Sequence, residues 1–314
     1  MRKIVLISIT LFLLVIACAS CSNYAEKTDG LQNSYSGSSI SSAATAYSRK
    51  MNGTIINWND VGCAYSIEES GGVALSYDDG AYTVNAPLSL PSGARASDTN
   101  ADRFGYFISE AKTAIAYERS SGSVEVLTTT DRGLTWSSGE VAYKETPTWT
   151  NIGSAHTWMS PDMTPSWIKV GFTTVDSGWM VVCYFTAMGT EYHDIFRSED
   201  GGITWEYIDG NINDVYSRML SGAGFINEEV GLLCFRYETD FQPAVCITKD
   251  GGLTWSELYL ELPVEYDTYS KTAFSPVFDG RDIVLPILLS DDGFNEELIY
   301  LKSGDCGNTW EVAE

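Results

Sequence analysis

Short apolar runs separated by polar turns recur along residues 54–314. The run Trp179-MVVCYF follows the phrase Phe172-TTVDS-Gly178, and the run Val230-GLLCF overlaps the end of the similar phrase Phe225-INEEV-Gly231. Each phrase consists of a phenylalanine, a polar turn and a glycine. Runs of this length, rich in β-branched and aromatic residues, predict buried strands. Similar phrases start at Phe107 and Phe278. The pattern predicts a strand, a polar turn and a second strand at each of these places.

A second phrase follows each of these strand pairs. The pattern [S/T]-x-D-x-G-x-T-W, hereafter the repeated motif, occurs at Thr129–Trp136, Ser198–Trp205, Thr248–Trp255 and Ser303–Trp310. Its aspartates are Asp131, Asp200, Asp250 and Asp305, so the steps are 69, 50 and 55 residues. One turn motif per step of this length predicts a repeat architecture of four-stranded units.

The residues of the repeated motif predict a structural role. An aspartate followed by glycine favours a hairpin turn. The aspartate carboxylate can accept hydrogen bonds from the backbone N–H groups of that turn. The glycines, which we expect at positive φ, are Gly133, Gly202, Gly252 and Gly307. The tryptophans, which we expect to pack between neighbouring repeats, are Trp136, Trp205, Trp255 and Trp310. A ligand or metal contact by the aspartates is the alternative interpretation.

The repeated motif resembles the Asp-box, or BNR repeat, of sialidases, sortilin-type receptors and photosystem II assembly factors. The resemblance covers residues 54–314 and implies an all-β fold, a β-propeller of four-stranded blades with Asp-box turns. Residues 54–90 are interpreted as a degenerate first repeat, because Ser76-Tyr-Asp78-Asp-Gly80 lies 53 residues before Asp131 without the Thr-Trp end. Five blades are then countable, and a sixth is possible.

The N-terminus predicts export. Arg2-Lys3 precedes an apolar run from Ile4 to Ala17, which is typical of a signal peptide and short for a transmembrane helix. Val15-Ile-Ala-Cys18 resembles the lipobox of bacterial lipoproteins, which implies a signal peptide over residues 1–21, lipidation at Cys18 and a lipid-anchored domain on the extracytoplasmic face of a bacterial cell membrane. The alternative is an ordinary cleaved signal. The Ser-rich residues 22–53 predict a flexible tether.

The net charge of −23 argues against nucleic acid and against an anionic membrane surface as partners. We therefore expect the membrane to be contacted only through the lipid anchor, and we expect a monomer. The chain has two histidines and no phosphate-binding loop, and no Cys-x2-Cys spacing occurs among the cysteines after the signal region, so no metal and no cofactor are expected. Five cysteines follow the signal region, and Cys234 and Cys246 could face each other. The stretch Asp291–Glu297 predicts a solvated turn, with Ca²⁺ binding as the less favoured alternative.

Two stretches are candidates for ligand binding. Residues 144–166 form a long insertion in the 69-residue step, and in it Trp149, His156 and Trp158 are the candidate contacts. The alternative is that both tryptophans only pack the loop. The acidic and aromatic stretch Tyr259–Tyr269 is the second candidate. These features favour a module that binds a glycan, a peptide or a partner protein.

The alternative function is that of an exo-sialidase or a related glycosidase. A sialidase needs clustered arginines for the substrate carboxylate, together with a tyrosine nucleophile beside a glutamate. The candidate arginines are Arg119, Arg218, Arg236 and Arg281, of which Arg119 and Arg281 are retained as candidate ligand contacts. The Arg-Ile-Pro phrase of the family is missing from this sequence. Convergence of these arginines on one site would favour the enzyme.

Overall fold

The computed structural model describes residues 50–51, 54–56, 62–68, 70–90, 104–120, 123–141, 165–187, 189–236, 242–291 and 295–313. These residues form five antiparallel sheets that follow one another in chain order. Helical structure within these ranges consists of α1 (Ile212–Val215) and two 3-10 turns at Asp78–Gly80 and Val264–Tyr266. No helix in these ranges has the length and apolar character needed to cross a membrane.

The first three sheets lie between Lys50 and Ile208. The first contains β1 (Lys50–Met51), β2 (Thr54–Ile56), β3 (Ala64–Ile67), β4 (Gly72–Tyr77) and β5 (Tyr82–Ser89). The second contains β6 (Phe104–Ile108), β7 (Thr113–Ser120), β8 (Ser123–Thr129) and β9 (Ser137–Val141). The third contains β10 (Trp167–Phe172), β11 (Gly178–Ala187), β12 (Thr190–Ser198) and β13 (Glu206–Ile208).

The last two sheets complete the array. The fourth contains β14 (Leu220–Phe225), β15 (Gly231–Phe235), β16 (Val245–Thr248) and β17 (Trp255–Glu257). The fifth contains β18 (Ser270–Ala273), β19 (Val277–Asp279), β20 (Asp282–Asp291), β21 (Asn295–Ser303) and β22 (Glu311–Val312). In the fifth sheet β18 and β19 both pair with β20, so its first strand is split in two.

The all-β class and the four-stranded antiparallel unit predicted from the repeat pattern are confirmed. The second, third and fourth sheets have four strands each, joined in chain order. Residues 54–90 form β2 to β5 of the first sheet, and the turn Asp78–Gly80 joins its last two strands. At the predicted turn after β20, Asp291 pairs with Asn295 of β21, and the residues between them lie outside the described ranges.

The hydrophobic core lies between successive sheets. One hydrophobic cluster fills each of the four interfaces between neighbouring sheets. Taken in chain order, the clusters include the buried residues Leu75, Val126, Phe235 and Leu285. Inner sheets are therefore covered on both faces, and every residue of β15 is buried. In the outer first and fifth sheets burial alternates along the strand instead, as β4 shows. Burial on both faces explains why the apolar runs of the central repeats are nearly continuous.

Each sheet has two ends. The end that carries the repeated motif is called the motif end. In every four-stranded unit, the first and third strands end there, and the second and fourth strands begin there. The other end, which carries the hairpin between the second and third strands, is called the opposite end. At the motif end the ring of Phe172 covers Gly178, since a Cβ there would lie 2.7 Å from a ring carbon. This contact explains the recurring phenylalanine–turn–glycine phrase.

Hydrogen bonds join neighbouring sheets along the motif end. Arg132 forms an ion pair with Asp78 of the preceding sheet at 2.8 Å. Further along, Lys112 Nζ donates to Gly201 O at 2.8 Å, and Ser177 Oγ donates to Glu228 at 2.7 Å. The motif end is therefore a row of turns that hold successive sheets together.

The strand register decides the relation between two cysteines that the sequence left open. Cys234 and Cys246 could have faced each other, but Cys234 pairs with Val245 and Cys246 pairs with Leu233, and both are free thiols. Successive residues of a strand point to opposite faces, so Cys234 lies in the core towards the fifth sheet and Cys246 in the core towards the third.

Candidate functional site

The aspartates of the repeated motif are fully engaged in their own turns. In the third sheet, Asp200 Oδ1 accepts hydrogen bonds from Ser198 Oγ and from the Thr204 N–H, at 3.0 and 2.8 Å. Asp200 Oδ2 accepts the Thr204 hydroxyl at 2.6 Å. The same three contacts recur at Asp131, Asp250 and Asp305. Four identical closed networks are what a structural turn requires, and they leave the carboxylates little capacity for a ligand.

The glycines and tryptophans of the repeated motif join each turn to the preceding sheet. Gly202 has φ +89°, and its N–H donates to Ser198 Oγ at 2.8 Å. Trp205 Nε1 donates to Gly202 O at 3.0 Å, which holds the indole against the core between the second and third sheets. The other tryptophans pack at the corresponding interfaces, namely Trp136, Trp255 and Trp310.

Hydrogen bonding lowers the pKa of the motif aspartates. The Thr135 hydroxyl and the Thr135 N–H lower the pKa of Asp131 to about 2. The Thr204 hydroxyl and N–H lower the pKa of Asp200 in the same way. At Asp250 and Asp305 burial opposes ionisation, but hydrogen bonds from Thr254 and Thr309 still lower the pKa of each carboxyl.

These shifts predict acid sensitivity of the fold. A group whose pKa is lower in the folded state stabilises the fold above its unfolded pKa, and that contribution is lost as the pH falls through the folded pKa. For Asp131 the window runs from its ordinary 3.8 down to about 2. We expect the urea midpoint to fall steadily as the pH is lowered across this window, and Asp131→Asn to flatten the slope. Superimposable pH profiles for Asp131→Asn and the parent chain would contradict this.

The candidate arginines do not meet at one place. Arg119, Arg218 and Arg236 lie at the opposite end, whereas Arg281 lies at the motif end, where its carbonyl accepts the N–H of Cys306. Arg119 is exposed and points to Glu125 and Glu140 of its own sheet, both at 3.5 Å. These four arginines therefore cannot together bind one substrate carboxylate.

Several predicted residues lie outside the described part of the chain. These are Trp149, His156 and Trp158 of the long insertion and Cys18 of the lipobox. The domain boundaries at residues 21 and 53 lie there as well, so the roles of these residues stay predictions.

The opposite end carries a pocket at the outer edge of the third and fourth sheets. It has a volume of about 120 Å³ and is bounded by the start of β16, the end of β17 and the segment after α1. Its lining residues include Tyr216, Gln242, Pro243, Glu257 and Tyr259. Tyr259 is 72 % exposed, so its ring is available to a ligand. Aromatic walls with a few polar groups are typical of small binding sites.

Short helix α1 positions the pocket. Asn213 Nδ2 donates to His193 O of the third sheet, and Asn213 Oδ1 accepts the His193 N–H. Asn211 Oδ1 accepts the N–H of Trp255 in the fourth sheet at 2.7 Å. These bonds fix the loop across both sheets, and Tyr216 then packs on Phe235 with ring centroids 4.7 Å apart.

Sequence reasoning found only part of this pocket. Tyr259 belongs to the stretch already singled out, whereas Tyr216 and Gln242 were missed. They come from separate loops, and no local pattern marks either of them. Their proximity depends on the docking of α1.

The structure also brings together three potential metal ligands that the sequence analysis did not connect. Cys183, Glu191 and His193 are buried on one face of the third sheet, and their ligand atoms lie within 4.8 Å of one another. The expectation of no metal site rested on the small number of histidines and on cysteine spacing along the chain, whereas these residues meet through the pairing of two strands.

Comparisons with known proteins identify no family for this chain. Neither a family model nor a curated protein matches it. Solved structures with a similar arrangement include an ancestral GH74 enzyme, at TM-score 0.43 and 11 % identity, covering 83 % of this chain and 30 % of that one. They also include YCF48 from Cyanidioschyzon merolae, at TM-score 0.40 and 12 % identity, covering 77 % of this chain and 63 % of that one.

The Hadza microbial sialidase Hz136 is a third such structure, at TM-score 0.40 and 15 % identity, covering 77 % of this chain and 54 % of that one. This chain thus spans less than two thirds of the length of each of these proteins. Its function has to be inferred from its own residues.

Proposed function

We propose that this chain is a lipid-anchored, extracytoplasmic β-propeller that binds a glycan or a peptide segment of a partner protein at its opposite end. The pocket lined by Tyr216 and Tyr259 is the observation that carries the proposal. It combines exposed aromatic surface with the amide of Gln242 and the carboxylate of Glu257, groups that can stack on and hydrogen-bond to either kind of ligand.

The propeller assignment is supported by the order of the sheets. Five antiparallel sheets follow the chain, and each packs its face on the next. Their first strands are also neighbours, since β10 contacts both β6 and β14, and β14 contacts β18. Successive blades around a common axis have this arrangement.

The chemistry of the two ends favours binding at the opposite end. At the motif end the carboxylates, such as that of Asp200, accept hydrogen bonds from their own turns. Neighbouring sheets are also joined there, since Lys112 donates to Gly201 O. The opposite end leaves Tyr259 exposed beside a pocket. Loops on one face of a repeat array commonly carry the binding site.

The geometry gives less support to a glycosidase. Sialidase chemistry needs several guanidinium groups directed at one carboxylate, and the four candidate arginines are divided between the two ends. Arg119 is instead paired with two glutamates on the surface. We therefore infer a binding module rather than an enzyme.

The lipobox at Cys18 supports the membrane location. The apolar run before it ends in Val15-Ile-Ala-Cys18, and the Ser-rich residues after it would separate the folded domain from the bilayer. The charge of −23 is compatible with anchoring by acyl chains and unfavourable for electrostatic binding to anionic lipids.

The experiment that tests the pocket is a screen of the full chain, purified in detergent, on a glycan array and an array of peptides. Tyr259→Ala should weaken the strongest interaction about 10-fold or more, because truncating an aromatic anchor typically costs about 2 kcal/mol of binding free energy. The thermal midpoint should not change, since the ring is largely exposed.

The matched control is Leu253→Ala, which removes an exposed apolar side chain from the motif end of the same sheet. It should bind like the parent chain. If Tyr259→Ala binds as tightly as the parent chain, the binding site lies elsewhere. The same conclusion follows if Tyr259→Ala and Leu253→Ala lose binding equally.

A further inference from the structure

Three side chains that can bind a metal ion, those of Cys183, Glu191 and His193, lie on one face of the third sheet. Cys183 of β11 is directly opposite His193 of β12 in the antiparallel pairing. Glu191 is two residues before His193, so both side chains point to the same face of the strand. This face is covered by the fourth sheet, where Phe235 packs edge-on against the His193 ring at 5.4 Å.

The distances suit a shared ion. One sulfur, one carboxylate oxygen and one ring nitrogen lie within 4.8 Å of one another, and His193 Nε2 is 3.5 Å from Glu191 Oε2. Around tetrahedral zinc, bonds of about 2.0–2.3 Å place ligand atoms about 3.5 Å apart. The Glu191–His193 pair is therefore already at the separation that one shared cation requires, and the sulfur of Cys183 lies within 4.8 Å of both.

The histidine ring provides an independent observation. His193 is buried, with 1 % exposure, and neither Nδ1 nor Nε2 has a hydrogen-bond partner within the described ranges. A buried polar atom without a partner is costly, and native proteins rarely tolerate one. Coordination of a cation would satisfy the nitrogen that faces Glu191.

The carboxylate is already oriented by surrounding groups. Glu191 Oε2 accepts the N–H of Leu220 at 2.7 Å, and Oε1 accepts the Ser166 hydroxyl at 2.9 Å. Both contacts come from outside the two strands that carry the cluster. Hydrogen bonds that fix a ligating carboxylate in this way are typical of the outer shell of metal sites.

We propose that Cys183, Glu191 and His193 form a buried structural site for a divalent transition metal of the zinc class. Thiolate, imidazole and carboxylate are the ligands that zinc takes in proteins. Full burial points to a structural ion that joins the third sheet to the fourth, through Glu191 and Leu220. With three protein ligands, a water molecule would complete the tetrahedron. The site is independent of the proposed ligand pocket.

The test measures metal in the full chain. The protein is unfolded in chelator, refolded with excess Zn²⁺ or Co²⁺, freed of unbound ion, and analysed by mass spectrometry and absorption spectroscopy. We expect about one zinc per chain, and in the cobalt form a thiolate-to-metal charge-transfer band. Cys183→Ser should lose the band, and the zinc content should fall to background.

The matched control is Cys234→Ser. Cys234 is equally buried on the second strand of the next sheet, but Val245 stands opposite it in place of a histidine. This variant should keep both the zinc and the cobalt band. If Cys183→Ser does not refold, Glu191→Gln preserves the side-chain shape. It should weaken zinc binding by more than about 100-fold, because losing outer-shell partners alone costs about 10–100-fold.

Two results would overturn the proposal. One is background metal in the refolded parent chain, which would leave Glu191 and His193 as a buried contact without a metal. The other is equal metal content and an equal cobalt band in the parent, Cys183→Ser and Glu191→Gln, which would place the ion elsewhere in the chain.

Discussion

Replacing Trp255 by alanine is expected to destabilise the fold by about 3–5 kcal/mol, the usual cost of removing a large buried aromatic side chain. Trp255 is 4 % exposed and lies in the core between the third and fourth sheets. Its ring packs against Phe225 with centroids 6.0 Å apart, and its Nε1 donates to Gly252 O at 2.9 Å. The substitution removes the apolar contact and the bond that closes the turn.

Urea unfolding of the full chain, followed by intrinsic fluorescence and circular dichroism, measures this effect. The control is Leu253→Ala in the same motif, since Leu253 is 55 % exposed. An exposed substitution of this kind usually changes the free energy of unfolding by less than about 0.5 kcal/mol. Equal effects of the two variants would show that Trp255 does not hold the interface.

Replacing Gly139 by alanine is expected to cost about 3 kcal/mol through steric overlap. Gly139 lies in β9, where the second sheet meets the motif turn of the third. A Cβ atom there would lie 2.2 Å from Gly202 O and 2.5 Å from Ile203 O. Both contacts are backbone atoms of a turn fixed by Asp200, so neither can move without breaking the turn.

The control for Gly139 is Gly304→Ala. A Cβ atom at Gly304 would meet only Asp282 Oδ1, at 3.6 Å, which is ordinary van der Waals contact. Alanine reduces the conformational entropy of the unfolded chain at this position. The free energy of unfolding of Gly304→Ala should therefore be unchanged or higher by up to about 1 kcal/mol. Similar urea midpoints for Gly139→Ala and Gly304→Ala would contradict the close contact between sheet and turn.

The repeating part of this fold could be predicted from the sequence because its contacts are local. Asp200 bonds to groups within four residues of it, and Phe172 covers a glycine six residues later. Such contacts leave a fixed spacing in the sequence, and the spacing recurs with every sheet. The degenerate first repeat was recognisable for the same reason, through the turn at Asp78.

The candidate sites could not be predicted in this way, because distant segments build them. Tyr216 and Tyr259 meet only because Asn211 and Asn213 dock α1 across two sheets. Cys183 and His193 meet only because of the strand register. A shift of one residue in register moves a side chain to the other face, and this is also why Cys234 and Cys246 face apart.

Surface charges account for the position of Arg119, one of the four candidate arginines that do not meet at one place. Its side chain is 59 % exposed beside Glu125 and Glu140. Exposed ion pairs of this type contribute little to stability. Their presence is accounted for by the many acidic residues of the chain, without any substrate.

The most direct test of a binding module against a glycosidase is a turnover assay. The full chain is incubated with a fluorogenic sialoside and a panel of other fluorogenic glycosides over a series of mildly acidic to neutral buffers. If the chain is a binding module, we expect no release of fluorophore from any substrate. Release that disappears in Arg119→Ala or Arg281→Ala would contradict it and make the chain a divergent glycosidase.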